Sequence, residues 1–275
     1  MRRRDAALRT TPDKRAMKIP YYQINAFTRS MTGGNPAGVC ALDAWLPDNA
    51  LQAIAAENGL SETAFFLRQR GGYGLRWFTP TVEVDLCGHA TLASAYAIFK
   101  YIDPKAGNIV FATQGGQLSV VRQGELISMD FPAWTLKRVD APDALIQGLG
   151  VTPKEVWLGR DYIAVFDSQD QIAGLRPEVE HLSHLDCLGI CTTAPGQDAD
   201  FVSRFFAPRA GIAEDPVTGS VHASLVPYWA QRLGKPKLRA LQLSSRGGEL
   251  FCEARGERVG IAGHAVLYLE GLIHC

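Results

Sequence analysis

Period-two alternation of apolar and polar residues dominates this chain, the pattern of half-buried strands. It predicts strands at 21–27, 37–42, 63–68 and 73–79. Three more, at 108–113, 116–122 and 126–132, are joined by Gly-rich turns. Further strands are expected at 155–159, 161–166, 187–194, 200–207, 240–245, 248–255 and 258–273. Helical spacing is rarer. It predicts a helix over 48–58, with Asp48 as the cap and Leu51, Ile54 and Ala55 as an apolar stripe. Others are expected over 89–100, over 177–185 with Pro177 near its first turn, and over about 219–233, ending at Gly234. Residues 132–153 are turn-rich with one short amphipathic piece, and the crossing between domains is placed there.

The pattern repeats. "LRWFTPTVEVDLCGHATLASAYAIF" in the first half matches "VSRFFAPRAGIAEDPVTGSVHASLVPYWA" in the second. Each has Arg-aromatic-Phe-X-Pro (Arg76 to Pro80, Arg204 to Pro208), then acidic residues, then a glycine (Gly88, Gly219), then an Ala-rich apolar helix. A helix apolar nearly all round is buried, so each should sit inside its own half, wrapped by short strands. Equivalent helix starts predict a pseudo-twofold arrangement with both N-termini facing one cleft. Their free N–H groups and positive dipole ends would suit a carboxylate.

Composition narrows the setting. The 275 residues suffice for one large domain or two of ordinary size, with 47% hydrophobic and 20% charged residues. Lysine plus arginine equal aspartate plus glutamate at 28 each, so neither nucleic acid nor an anionic membrane is expected as a partner. No apolar run approaches the ~18 residues of a membrane span. Residues 1–16 are basic and polar without the apolar core of a secretory signal, and read as a disordered extension or an early start codon ahead of Met17. Six scattered cysteines (40, 87, 187, 191, 252, 275) predict free thiols in a reducing cytoplasm.

Several residues could carry chemistry. Glu62 stands where a Gly-containing turn enters an apolar strand. It reads as a candidate general base, since partial desolvation there brings a carboxyl toward working pH, or as an ordinary strand-entry residue. His89 follows Gly88 in the first helical turn, where the dipole favours a neutral imidazole able to donate a hydrogen bond, or where it is a core histidine. Cys87 is either a low-pKa thiolate at a helix start or a small buried residue. In "EDPVTGS", Asp215 could orient a base, bind an amine or cap the helix, and Thr218 and Ser220 offer hydroxyls. His181, His184, Cys187 and Cys191 superficially have zinc spacing, but core packing and solvent-facing histidines explain them more cheaply. No dinucleotide or phosphate-loop glycine motif is present in the sequence.

Together the segments "INAFT", "GNPAGV" (34–39), "LSETAFF" (60–66), "RWFTPTVEVDLCGHATLASA" (76–95) and "FFAPRAGIAEDPVTGSVHASL" (205–225) resemble the PhzF-like isomerase family of phenazine biosynthesis, from about residue 18 to the C-terminus. The resemblance implies the diaminopimelate-epimerase-like α+β fold. That fold has two pseudo-symmetric halves, each a mixed, mainly antiparallel, barrel-like sheet around a central helix. The halves would be 17–133, joined by the C-terminal strand at about 262–275, and 134–261.

The resemblance places the family's catalytic glutamate on Glu62, an acid/base that moves a proton on a small carboxylate-bearing substrate without metal or organic cofactor, in a cleft between the halves. His89 and Asp215 join it, with Gly88, Gly219, Ser220 and Asn35 as substrate contacts. A homodimer is implied as well. Diaminopimelate epimerases place a cysteine at each helix entrance; here Cys87 fits the first, and the second has none, so a two-thiol epimerase is disfavoured. A catalytically idle ligand- or protein-binding member is the main alternative, and a zinc hydrolase the last. The substrate, and any part in phenazine synthesis, stay open.

Overall fold

The computed structural model describes residues 17–275, and the reading of 1–16 lies outside the described residues. The first alternating segments form β1 (Lys18–Ala26) and β2 (Asn35–Leu42). Then come α1 (Asp48–Asn58), β3 (Glu62–Gln69), β4 (Gly72–Phe78), β5 (Glu83–Val84) and α2 (Gly88–Ala97). Three strands complete the first half: β6 (Asn108–Thr113), β7 (Gly116–Gln123) and β8 (Leu126–Pro132). The chain crosses over through β9 (Lys137–Val139) and α3 (Asp143–Leu149) to β10 (Glu155–Leu158) and β11 (Tyr162–Val165). The second half continues with α4 (Gln169–Gly174), α5 (Val179–Ser183), β12 (Ile190–Pro195), β13 (Phe201–Ala207), β14 (Ile212–Asp215) and α6 (His222–Leu233). It ends with β15 (Lys237–Gln242), β16 (Gly248–Arg255), β17 (Arg258–Gly263) and β18 (Ala265–His274).

Strand pairing shows the repeat directly. β2 runs parallel to β3, β3 antiparallel to β4, and β4 parallel to β6. In the second half β11 runs parallel to β12, β12 antiparallel to β13, and β13 parallel to β15. The remaining ladders are antiparallel, and β8 with β17 joins the halves. The last strand crosses back: β18 pairs with β1, as β9 pairs with β10. This is the mixed, mainly antiparallel two-half architecture that the repeat and the resemblance implied.

The repeated Arg–acid pattern has a structural role. Arg76 grips Glu83 through two hydrogen bonds of 2.7 Å, and Arg204 grips Glu214 at 2.7 and 3.0 Å. Each guanidinium also lies over a phenylalanine of its own strand, Phe78 at 5.1 Å and Phe206 at 5.2 Å. Bidentate arginine–carboxylate pairs fix geometry as well as charge. Each fastens the strand before a central helix to the segment entering it.

The two central helices differ in burial. All of α2 except Tyr96 is buried, packed on β1, β2, β3 and β8. Burying Leu92 alone contributes roughly 1.5–3 kcal/mol. Helix α6 is buried over its first turns, but Gln231 to Leu233 are exposed, so the expectation of burial nearly all round holds only for its N-terminal part. Pro227 lies inside α6. Proline has no N–H, so it frees the carbonyl four residues back. That carbonyl, of Ala223, accepts the N–H of Trp134 at 3.1 Å, which fastens the crossing segment to the helix.

Several local expectations shift. Asp48 begins α1 but does not cap it: Pro47 holds the N-cap position, and the Asp48 carboxylate pairs with Arg76 at 2.9 Å. The predicted strand 258–273 is two strands that break at His264, because β17 pairs with β16 and β8 whereas β18 pairs with β1. Helix 177–185 contracts to α5. Helix α4, capped reciprocally by Ser168 and Gln171, was not predicted. No helix among the described residues is long and apolar enough to cross a membrane.

Candidate active site

The two central helices meet at their N-termini. A methyl group built on Gly88 would lie 3.0 Å from the Cα of Gly219, and one on Gly219 would lie 3.2 Å from the Cα of Gly88. Only glycine permits that approach. In α2 the first intrahelical bond runs from Thr91 N–H to Cys87 carbonyl. In α6 a tight turn precedes the helix, with His222 N–H bonded to Gly219 carbonyl and Ala223 N–H to Ser220 carbonyl. The earlier N–H groups have no intrahelical partner. Position four of each entrance returns a side chain to the carbonyl at its head: Thr91 hydroxyl to Cys87 at 2.6 Å, His222 Nδ1 to Thr218 at 2.8 Å.

Beside this junction lies a cavity of about 450 Å³ whose walls come from both halves. Glu62, Cys87, Gly88, His89, Asp215 and Ser220 are among its lining residues. Glu62 opens β3, where the parallel ladder sets it opposite Ala37. Its Oε2 lies 3.2 Å from Nε2 of His89, with the side chains 13% and 4% exposed. The two atoms are close but not aligned, so each is buried without a hydrogen-bond partner. Orphaned buried polar atoms are costly, and here both lie at the cavity.

Behind His89 stands a polar network that the sequence showed only in part. Asn35 is fully buried. Its Nδ2 donates to Asp215 Oδ1 at 2.8 Å and to Val217 carbonyl at 3.0 Å, and lies 3.2 Å from Nδ1 of His89. It therefore sits behind the histidine and does not line the cavity. Asp215 Oδ2 accepts the Thr218 hydroxyl. Gln242, also fully buried, accepts the Thr218 N–H at 2.9 Å and donates to the Asp215 carbonyl at 2.8 Å. Nothing in the local sequence of β15 marks Gln242; its role comes from register alone. Asp215 thus acts on His89 through Asn35.

Charges in the site are displaced from their ordinary values. Burial pushes the Asp215 carboxyl up to about 6; the charge on Glu62 adds to this, while His89, Thr218 and Asn35 oppose it. For His89, burial opposes the imidazolium, whereas its neighbours Cys87 and Glu62 pull the other way and raise it overall. Set against that pull are the helix N-terminus and the Asn35 Nδ2 donor 3.2 Å from Nδ1, which favours a bare, accepting Nδ1. Burial and the Glu62 charge push the Cys87 thiol up to about 11, so it is the buried thiol of the two readings. At the second entrance Thr218 holds the position of Cys87, one residue before the glycine.

Glu62, Cys87 and His89 present ligand atoms within 4.8 Å of one another, and among the described residues this is the one set able to hold a metal. A thiol held at about 11 is a poor source of the thiolate such a site needs. His181, His184, Cys187 and Cys191 do not form a cluster: His181 pairs with Glu178 at 3.4 Å, and Cys191 is buried in the core.

The phenazine biosynthesis-like family model matches residues 24–271. A Pseudomonas aeruginosa protein named as an uncharacterized isomerase is 52% identical over 94% of this chain and 100% of its own. Phenazine biosynthesis-like domain-containing protein 2 of Mus musculus is 39% identical over 94% of this chain and 99% of its own. The crystal structure of a PhzF-family phenazine biosynthesis protein from Enterococcus faecalis has a TM-score of 0.91 at 43% identity, covering 94% of this chain and 100% of that chain. Matched from β1 to β18 in both sequence and fold, the chain belongs to the phenazine biosynthesis-like, or PhzC-PhzF, family.

Proposed function

We propose that this family member is a cofactor-independent isomerase that moves a proton on a small carboxylate-bearing metabolite, with Glu62 as the acid/base. The observation that carries the reading is the pair of unpartnered atoms, Glu62 Oε2 and His89 Nε2, at one cavity beside two converging helix N-termini. Glu62 takes a proton from a carbon next to an unsaturated or carboxylate group. The C–H electron pair passes into that group, and the negative charge rests on N–H groups of the paired helix entrances at Gly88 and Gly219. The protonated Glu62 then returns its proton to a second carbon on the same face, and the double bond moves. His89 faces the carboxylate at 3.2 Å, and Asn35 with Asp215 stands behind His89. Relatives named as isomerases support the class of reaction.

The test is deuterium incorporation. Native protein and Glu62→Gln are incubated with a cellular metabolite pool in D2O and compared by mass spectrometry. The expected result is label in one compound with the native protein and none with the variant. Equal labelling by both would remove Glu62 as the base, and no label with the native protein would favour a ligand-binding role for the cavity.

A further inference from the structure

Arg160 is a cavity residue that the mechanism above does not use. It lies in the turn between β10 and β11, and reaches the cavity from the half opposite Glu62 and His89.

The charge around it is unbalanced. Glu62, Glu83, Asp85 and Asp215 line the cavity, and Arg160 is its one lysine or arginine. Glu83 is neutralised by Arg76. The two arginines of the repeat are locked in bidentate pairs, whereas Arg160 makes a single hydrogen bond among the described residues, from Nη2 to Asp85 Oδ1 at 3.0 Å. That bond spans the halves at side-chain exposures of 33% and 64%. A pair so exposed contributes little and exchanges readily. The guanidinium itself is held in place, lying over the Trp134 ring at 5.4 Å. Trp134 is in turn fixed by the Ala223 carbonyl that Pro227 frees. A cation fixed by stacking and held by an exchangeable partner at a cavity is a built anion acceptor.

We propose that Arg160 exchanges Asp85 for a second carboxylate on the substrate, and that the substrate class is a small dicarboxylate. This rests on the isomerase reading and adds the far end of the molecule. One carboxylate or its enolate lies at the paired helix entrances, and the other meets Arg160. The swap leaves Asp85 to solvent, which its exposure permits.

The test is binding, read without chemistry. Calorimetric titration compares glutaconate with trans-3-pentenoate, probes that differ in one carboxylate, for the native protein, Arg160→Gln and Asp85→Asn. The native protein should bind glutaconate at least tenfold more tightly. Arg160→Gln should remove that preference, and Asp85→Asn, which releases the arginine, should strengthen glutaconate binding about threefold or more. Equal affinity for both probes, binding of neither, or a preference that survives in Arg160→Gln would overturn the proposal. The Glu62 reading stands or falls separately, on deuterium exchange.

Discussion

Gly88 and Gly219, 131 positions apart in the chain, touch backbone to backbone where the two central helices begin, with room for no side chain on either. The closeness brings two sets of free N–H groups to one point. Alanine at either position must push the helices apart. Gly88→Ala and Gly219→Ala should each cost about 1–3 kcal/mol in urea unfolding. Gly107, where an added methyl meets nothing within 4 Å and φ is ordinary, is the control; its alanine variant should stay within ~0.5 kcal/mol. Unchanged stability in Gly88→Ala would contradict the contact.

Glu62 and Cys87 line the same cavity but are assigned opposite importance. A thiol pushed up to about 11 is protonated at neutral pH. Cys87→Ala should therefore keep deuterium exchange within about tenfold of native, whereas Glu62→Gln should lose at least ~100-fold, the scale of general acid–base catalysis. Prior treatment with a chelator should leave the native rate unchanged. Loss of exchange in Cys87→Ala, or after chelation, would shift the chemistry to the thiol or to a metal held by the same three residues.

Two buried groups make opposing contributions to stability with pH. Asp215 titrates at about 6 in the fold against 3.8 ordinarily. Between those values the folded chain holds a proton that the unfolded chain releases, so its contribution falls as pH rises. His222 has its pKa lowered by burial to about 4 from 6.5. Over that window the unfolded chain holds the extra proton, so its contribution rises with pH. Each amounts to roughly 3 kcal/mol. Between pH 4 and 6 the two should nearly cancel. Asp215→Asn should unmask a stability that climbs with pH, and His222→Gln one that declines. Parallel pH profiles for the two variants in chemical unfolding would refute the assignment.

The two repeated arginine pairs should count for more than ordinary surface pairs. Arg204 and Glu214 are 11% and 27% exposed and bidentate, while Arg29 and Glu125 are 67% and 77% exposed with a single bond. A double-mutant cycle with alanines should give a coupling of about 1–2 kcal/mol for the first pair and under ~0.5 for the second. Equal couplings would mean that the first pair is no latch.

Much of this architecture is local and was legible. Alternation marked the strands, because side-chain direction has a period of two whatever lies opposite. The repeat located both helix entrances, since glycine, an apolar helix and an Arg–acid pair are encoded within one short stretch. Pairing partners are not local. The break at His264 is invisible in the run of strand-forming residues around it, because each side pairs with different strands. Asn35 and Gln242 reach the site network through registers set by strands far away in sequence, and Arg160 reaches the cavity from the turn between β10 and β11. The surroundings of His89 are divided in the same way: the helix start beside it is encoded locally, but the carboxylate of Glu62, 27 residues earlier, is brought within 3.2 Å only by the fold. The sequence alone determined the elements, their repetition and the glycine-led helix starts. The tertiary structure decided which side chains meet, because electrostatics at a buried site depends on distances that only packing sets.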